Sequence, residues 1–262
     1  MSRILSAYAD DSAIITNRQV LESYRVPESM GSRHHPISFF DYANEVEEQL
    51  QRVSLKVISE EHIIGHDGNR HFGIMEVAPA LEGDLIQAKD WSLFLGLRGS
   101  HDRSVSRGLA LGRRVMVCSN LCFSGDIATI STKQTTNIWY RLPSMLYNAV
   151  AKVPELAYLE EQRVEELKNY EMKPTWGDAA LVEIMRRNGL SSAQLGRAVN
   201  EWDNPSHEEF TENGHTAWRL EQAVTEAVKP SNVEHHNLFT VHNRTRIASD
   251  FINEIVGFNS SI

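Results

Sequence analysis

Two apolar runs of β-type composition, Trp91 to Leu97 and Val115 to Phe123, flank a polar connector and together commit the middle of the chain to a sheet. The segment from Arg98 to Arg114 holds five arginines, Arg98, Arg103, Arg107, Arg113 and Arg114, against one acid, Asp102. The whole chain carries a formal charge of −9, so a local excess of this sign does not follow from composition. Ser104 to Gly112 reads equally as strand or as connector. Val115 to Phe123, apolar on both faces except at Ser119 and Asn120, reads as a largely buried strand.

Before this stretch, residues 1–36 show no sustained period and contain Pro27, Gly31 and the pair His34 and His35, which predicts an arm that packs on its neighbours or on another subunit. Ser38 is placed to cap a helix whose apolar positions Phe39, Tyr42, Ala43, Val46 and Leu50 recur at helical spacing. A hairpin follows. Val53, Leu55 and Val57 alternate with polar residues, Asp67 and Gly68 supply a turn, and His71 to Val77 returns.

From Asn137 the pattern is helical. Leu142, Met145, Leu146, Ala149 and Val150 mark one face of a first helix, and Leu156, Leu159, Val164, Leu167 and Tyr170 mark a second, rich in glutamate. Lys173 and Pro174 break it. Further helices are predicted over Asp178 to Arg187, from Ser191 to Trp202, over Thr216 to Val228 and over Arg246 to Val256. Strands first and helices after predict an α+β fold with a mostly antiparallel sheet in the N-terminal half and a helical C-terminal half. The expected divisions are an arm over 1–36, a sheet with its flanking helix over 37–136, and a helical region packed on the sheet over 137–262.

At 262 residues the chain is long enough to bury roughly three quarters of its unfolded surface. It has no apolar run of the ~18 residues that a span requires, and acids stand where a signal peptide has its apolar region, so a cytoplasmic protein without a membrane partner is expected. Cys118 and Cys122, four apart in one apolar run, are expected to be reduced thiols. A sequence pI near 5.7 speaks against a broad basic face for duplex DNA, while leaving room for a confined basic groove. The phosphate loops GxxxxGK and GxGxxG and the nucleophile elbow GxSxG are absent from the sequence, so no motif dictates a reaction, no cofactor is expected, and the reading leans away from catalysis.

The candidate site is the cluster of Arg98, His101, Arg103, Arg107, Arg113 and Arg114, with Trp91 as a base-stacking ring. Guanidinium forks bond two phosphate oxygens at once, which suits a nucleic-acid backbone. The plain alternative is a solvated loop whose arginines pair with the acidic helices that follow. Ser100, His101 and Asp102 contain ligand-type groups, but sequence neighbours point apart in an extended chain, so a turn is the better account and no metal site is assigned. Met185 to Val199 has the outline of a helix-turn-helix that would offer Gln194, Arg197 and Asn200 to base edges; with one positive charge among them, an ordinary helical hairpin is favoured.

The segment SHDRSVSRGLALGRRVMVCSNLCFSG resembles the domain-of-unknown-function 932 family of phage- and plasmid-encoded proteins, in which a Ser-His-Asp-Gly turn leads to a strand ending in Val-Cys-Ser-Asn-Gly. NIWYRLPSMLYNAV and NGHTAWRLEQAVTE are similar to two later helices of the same family, in the same order. The resemblance implies a mobile-element origin and marks His101, Asp102, Cys118, Ser119 and Asn120 as signature positions without a role. The chain departs from the family pattern at Arg103 and Leu121, where glycine is usual, so a shared loop that needs positive φ is not expected there. The gross order of helix, hairpin, strands and long helix is also that of single-strand annealing proteins. The function expected is nucleic-acid binding, single strands favoured, by a homo-oligomer in the host cytoplasm. The alternative is a protein-binding module that inhibits a host protein, with Glu160, Glu161, Glu165 and Glu166 imitating DNA charge.

Overall fold

Ser38 does cap the first long helix: its hydroxyl accepts from the Asp41 N–H at 2.8 Å in the computed structural model, which describes residues 14–29, 31–65, 68–80, 91–115, 121–122, 130–211, 214–229 and 238–258. The fold is α+β, with a mostly antiparallel sheet in the N-terminal half and mostly helices after it. The strands are β1 (Ile14–Thr16), β2 (Leu55–Gly65), β3 (Arg70–Pro79), β4 (Trp91–Ser100), β5 (Arg107–Val115), β6 (Leu121–Cys122) and β7 (Ile130–Thr132). They form one sheet in the order β1-β2-β3-β4-β5-β6, with β7 also on β5. The helices are α1 (Arg18–Leu21), α2 (Phe39–Arg52), α3 (Ile138–Val150), α4 (Val153–Asn169), α5 (Pro174–Arg186), α6 (Ser192–Asp203), α7 (Ala217–Ala227) and α8 (Leu238–Val256). Among the described residues no helix is long and apolar enough to cross a membrane.

The chain divides into two compact units: Met1–Gln87, Ser92–Gly112 and Asp126–Leu156 form one, and Ala88–Trp91, Arg113–Gly125 and Ala157–Ile262 the other. Borders fall inside β4, β5 and α4, so the units do not follow the order of strands and helices in the sequence.

In the first unit β2 and β3 make the predicted hairpin, with Gly68 at φ +83° in its turn and a bulge between Val57 and Ser59. Bulges add local twist. β4 continues the sheet, pairing Arg70 with Ser100 and Glu76 with Phe94 at the ends of its register. β1 pairs β2, so part of the predicted arm is a strand of the sheet. Helix α2 buries the expected face, Phe39, Tyr42, Ala43, Val46 and Leu50, and packs on β2 and α3.

The strand after the connector begins earlier than the sequence predicts. β5 starts at Arg107, β6 is described at Leu121 and Cys122, and residues 116–120 and 123–129 lie outside the described residues. Arg107, Leu109, Leu111 and Arg113 are all buried at strand spacing. Two inward arginines interrupt the apolar alternation by which such a strand is read.

The second unit is built around α7, whose residues are buried on nearly every side, including Trp218, Leu220, Ala223 and Val224. Thr216 caps it by accepting from the Arg219 N–H at 3.2 Å. α6 starts with a full capping box, Ser191 with Gln194, and α5 ends where Asn188 turns left-handed at φ +68° and Gly189 donates to the Ile184 carbonyl at 2.8 Å. Trp202, fully buried, lies against Gly177; a Cβ there would come within 2.2 Å of the indole. In the segment with a helix-turn-helix outline, Gln194 is buried in the capping box and Arg197 donates to the Ala227 carbonyl at 2.9 Å, while Asn200 is exposed.

Candidate functional site

The connector between β4 and β5 closes into a tight turn built by its own side chains. Asp102 Oδ1 accepts from the Ser104 N–H at 2.9 Å and from the Ser104 hydroxyl at 2.5 Å, and Ser100 Oγ accepts from the Val105 N–H at 2.9 Å. Partial burial alone raises the Asp102 pKa, but the bonds from Ser104 and Ser100 and the charge of Arg70 outweigh it and hold the carboxyl at about 2. Arg103 sits at the apex with φ +66°, the left-handed geometry that the sequence argued against. The side-chain bonds of Asp102 and Ser104 fix the backbone on either side, so the arginine accepts a conformation in which glycine is more at ease.

His101 points inward. It is 1 % exposed, stacks on Phe39 with centroids 4.0 Å apart and planes 7° apart, and its Nε2 lies 3.0 Å from the Ile37 carbonyl oxygen. A carbonyl only accepts, so that nitrogen carries the proton. Burial pushes the His101 pKa down to about 4, with the Arg107 charge adding to it against the bond to Ile37. Behind it His71 and His62 lie side by side, Nε2 to Nδ1 at 3.0 Å, and burial holds His71 well below the ordinary histidine range. Each of His101 and Asp102 is thus occupied in holding the turn, and their functional groups do not converge.

The arginine run does not form one surface, which corrects the expectation that its members contact phosphate together. Arg107 is fully buried, donates through Nη2 to the Ile37 carbonyl, and lies over the rings of Phe39 (4.7 Å) and Tyr42 (5.3 Å). Arg113, also fully buried, belongs to the second unit, with Nε 3.0 Å from Glu160 Oε1 and Nη2 against Glu221 Oε2. Its guanidinium also lies over the Trp218 ring, 4.8 Å from the centroid. Arg98 on β4 is half-buried, and desolvation lowers its pKa. The side chains of Trp91 and Arg114 lie outside what is described, as do Cys118, Ser119 and Asn120 altogether.

Of that run, Arg103 alone among the described side chains is exposed, and it opens on a pocket. The pocket has a volume of about 730 Å³ and lies between the 31–34 segment, the 102–106 turn and residues 132–135. All three belong to the first unit. An isolated bridge between His34 and Thr135 ties the outer two segments together, and the His35 N–H donates to the Gln134 carbonyl at 3.0 Å. Buried Gln134 then fastens both to the interior: its Oε1 accepts from the Ile37 N–H at 2.7 Å and its Nε2 donates to the Ser100 carbonyl at 2.7 Å.

Three exposed cations, Arg33, Arg103 and Lys133, line this pocket, and none of them forms an ion pair among the described residues. The hydroxyl residues Ser32, Ser104, Ser106, Thr132 and Thr135 complete much of the lining. Asp102, the single acid there, already receives the Ser104 bonds and has Arg70 at 3.9 Å. His34 is held below its ordinary pKa by burial, then by the charges of Arg103 and His35. Arginine forks, an ammonium and hydroxyl donors around one opening are the donor set of a phosphate site. Sequence reasoning missed Arg33 and Lys133, which lie about a hundred residues apart in single-cation contexts; only the pairing of the 31–35 and 132–135 segments brings them together.

No family model matches the chain, and neither a curated protein nor a solved structure matches it.

Proposed function

We propose that this chain binds nucleic acid, single strands in preference to duplex, through phosphates seated in the pocket of Arg33, Arg103 and Lys133. The observation that carries the reading is three exposed cations without ion-pair partners among the described residues, gathered at one opening in a chain of net charge −9. Charges of like sign repel, and in an acidic protein they find carboxylates readily; a triad that forms no ion pair among the described residues, with the pocket's one acid Asp102 bonded to Ser104, is poised for an anion from outside. The confined size of the basic region fits a single strand better than duplex, which needs a broad basic face. Self-association, by analogy with single-strand annealing proteins, and a mobile-element setting, which the family resemblance implies, belong to the same proposal.

The protein-binding alternative has less support. Of the four glutamates that would imitate DNA, Glu160 is 5 % exposed and neutralised by Arg113 and Arg163, leaving Glu161, Glu165 and Glu166.

Fluorescence anisotropy of a labelled single-stranded oligonucleotide, across a salt series and against duplex, tests the proposal. Binding should weaken steeply with salt, and the double variant Arg103→Glu, Lys133→Glu should lose at least tenfold in affinity and flatten the log-log salt slope by about 1.4, roughly 0.7 for each phosphate contact removed. Absence of binding at low salt, or binding indifferent to both charge reversals, overturns it.

A further inference from the structure

Helix α3 begins three residues beyond the pocket lining: Thr135 lines the pocket, and the Ile138 N–H donates to the Thr135 carbonyl at 2.9 Å. Its inner face keeps the predicted Leu142, Leu146, Ala149 and Val150 and adds Ile138, while the predicted Met145 is only half-buried. Its outer face is unusual. Tyr140 is 86 % exposed, Trp139 44 % and Tyr147 43 %, and these three are among the few large apolar side chains that the described residues leave in solvent. At 100° per residue, Trp139, Pro143, Tyr147 and Tyr140 fall within one sector of roughly a quarter turn. A surface with two tyrosines, a tryptophan and a proline on one quarter of a single helix calls for an occupant.

We propose that this face of α3 stacks the bases of the single strand whose phosphates enter the adjoining pocket, an inference that rests on the reading above. Charge complementarity selects the occupant: α3 follows directly on the pocket-lining residues 132–135, whose opening carries the exposed cations Arg33, Arg103 and Lys133, so a ligand that reaches from the pocket along this helix carries negative charge and apolar planes together. Size agrees. Tyr140 and Tyr147 are seven residues apart, about 10.5 Å along the axis, which spans two or three nucleotides. A stable protein interface needs about 800 Å² from each side and centres on a close-packed apolar core, which one such sector with exposed Ser144 and Asn148 beside it does not supply. Ring stacking tolerates any base, so the binding is expected to ignore sequence.

The test compares two oligonucleotides of equal length, one of thymidines and one with consecutive abasic sites in its centre, on the full chain and on the double variant Tyr140→Ser, Tyr147→Ser. Both positions are exposed, and a matching thermal melt verifies the fold of the variant. The unaltered protein should bind the thymidine strand at least tenfold more tightly than the abasic one. The double variant should lose most of that difference while keeping its abasic affinity and its salt slope, since stacking on a ring is worth roughly 5- to 140-fold per base. Equal affinity of the unaltered protein for both strands overturns the stacking, as does a variant that binds thymidines undiminished. A variant that falls from dimer to monomer in sedimentation with its thymidine affinity intact also overturns it, and identifies the face as a contact between copies. Binding that depends on Arg103 and Lys133 but ignores the bases removes this inference alone; absence of binding to either strand removes the pocket reading too.

Discussion

Arg107 and Arg113 lie six residues apart at strand spacing on β5, and each is fully buried, yet the chain treats the two guanidinium groups in opposite ways. Around Arg113, in the second unit, Glu160 and Glu221 meet Arg113 and Arg163, two carboxylates for two guanidinium groups. Arg163 also donates to Ser249 at 2.8 Å and to Asn253 at 2.6 Å. Around Arg107, in the first unit, there is no carboxylate among the described residues: aromatic rings, histidines and one carbonyl surround it, its Nε and Nη1 have no hydrogen-bond partner, and burial lowers its pKa to about 10. The difference teaches that a run of arginines says little until each one's counter-charge is located. A neutralised guanidinium holds a fold together, a buried and unneutralised one is tolerated there, and an exposed one such as Arg103 is free to meet an anion.

The largest effect is expected at the neutralised end. Glu221→Ala leaves two buried guanidinium groups on one carboxylate and should destabilise the protein by about 3–5 kcal/mol in chemical denaturation. A loss under about 1 kcal/mol would mean that the pair is not desolvated.

The first unit should instead be sensitive to acid. His71 and His101 have folded pKa values below that of a free histidine, about 4 for His101. Between that value and about 6.5 the unfolded chain therefore binds more protons than the folded one. Their stabilisation is present above about pH 6.5 and is lost as pH falls toward 4. Melting temperatures should drop over that window, and His101→Gln should reduce the slope; an unchanged slope in the variant would assign the effect elsewhere.

Arg107→Met should stay within about 1 kcal/mol of the parent, because removing an unneutralised buried charge offsets the lost contact with Ile37. A penalty above about 3 kcal/mol would put Arg107 in the same class as Arg113. The smallest effect is expected at Arg103. Arg103→Gly relieves the left-handed residue and should alter stability by less than about 1 kcal/mol, while weakening oligonucleotide binding several-fold. A clear stability loss would show the side chain at work in the fold instead.

Much of the fold is legible because local signals agree with it. Ser38, Ser191 and Thr216 all cap, the hairpin turns at Gly68, and the α2 and α3 core faces follow their apolar spacing. β5 was not legible over its length because Arg107 and Arg113 occupy inward positions where an apolar residue is the usual signal. The beginning of α8 was missed as well, eight residues ahead of Arg246, where buried polar His242 and Thr245 interrupt the apolar spacing after Val241. For the candidate site, charge content pointed to the 98–114 segment and found Arg103. It could not separate inward from outward arginines, which depends on strand register, nor find Arg33 and Lys133, which depends on segments a hundred residues apart meeting. The left-handed Arg103 was hidden for a related reason: its backbone is set by Asp102 and Ser104 rather than by its own preference.

The most direct measurement is the affinity of a single-stranded oligonucleotide for three proteins in one salt series: the parent, the Arg103→Glu, Lys133→Glu variant, and Arg107→Met. The account predicts salt-dependent binding by the parent, nearly the same affinity for Arg107→Met, and at least a tenfold loss with a flatter salt slope for the double reversal. Full affinity in the double reversal, or its loss in a folded Arg107→Met, would contradict the assignment of the exposed pocket as the anion site.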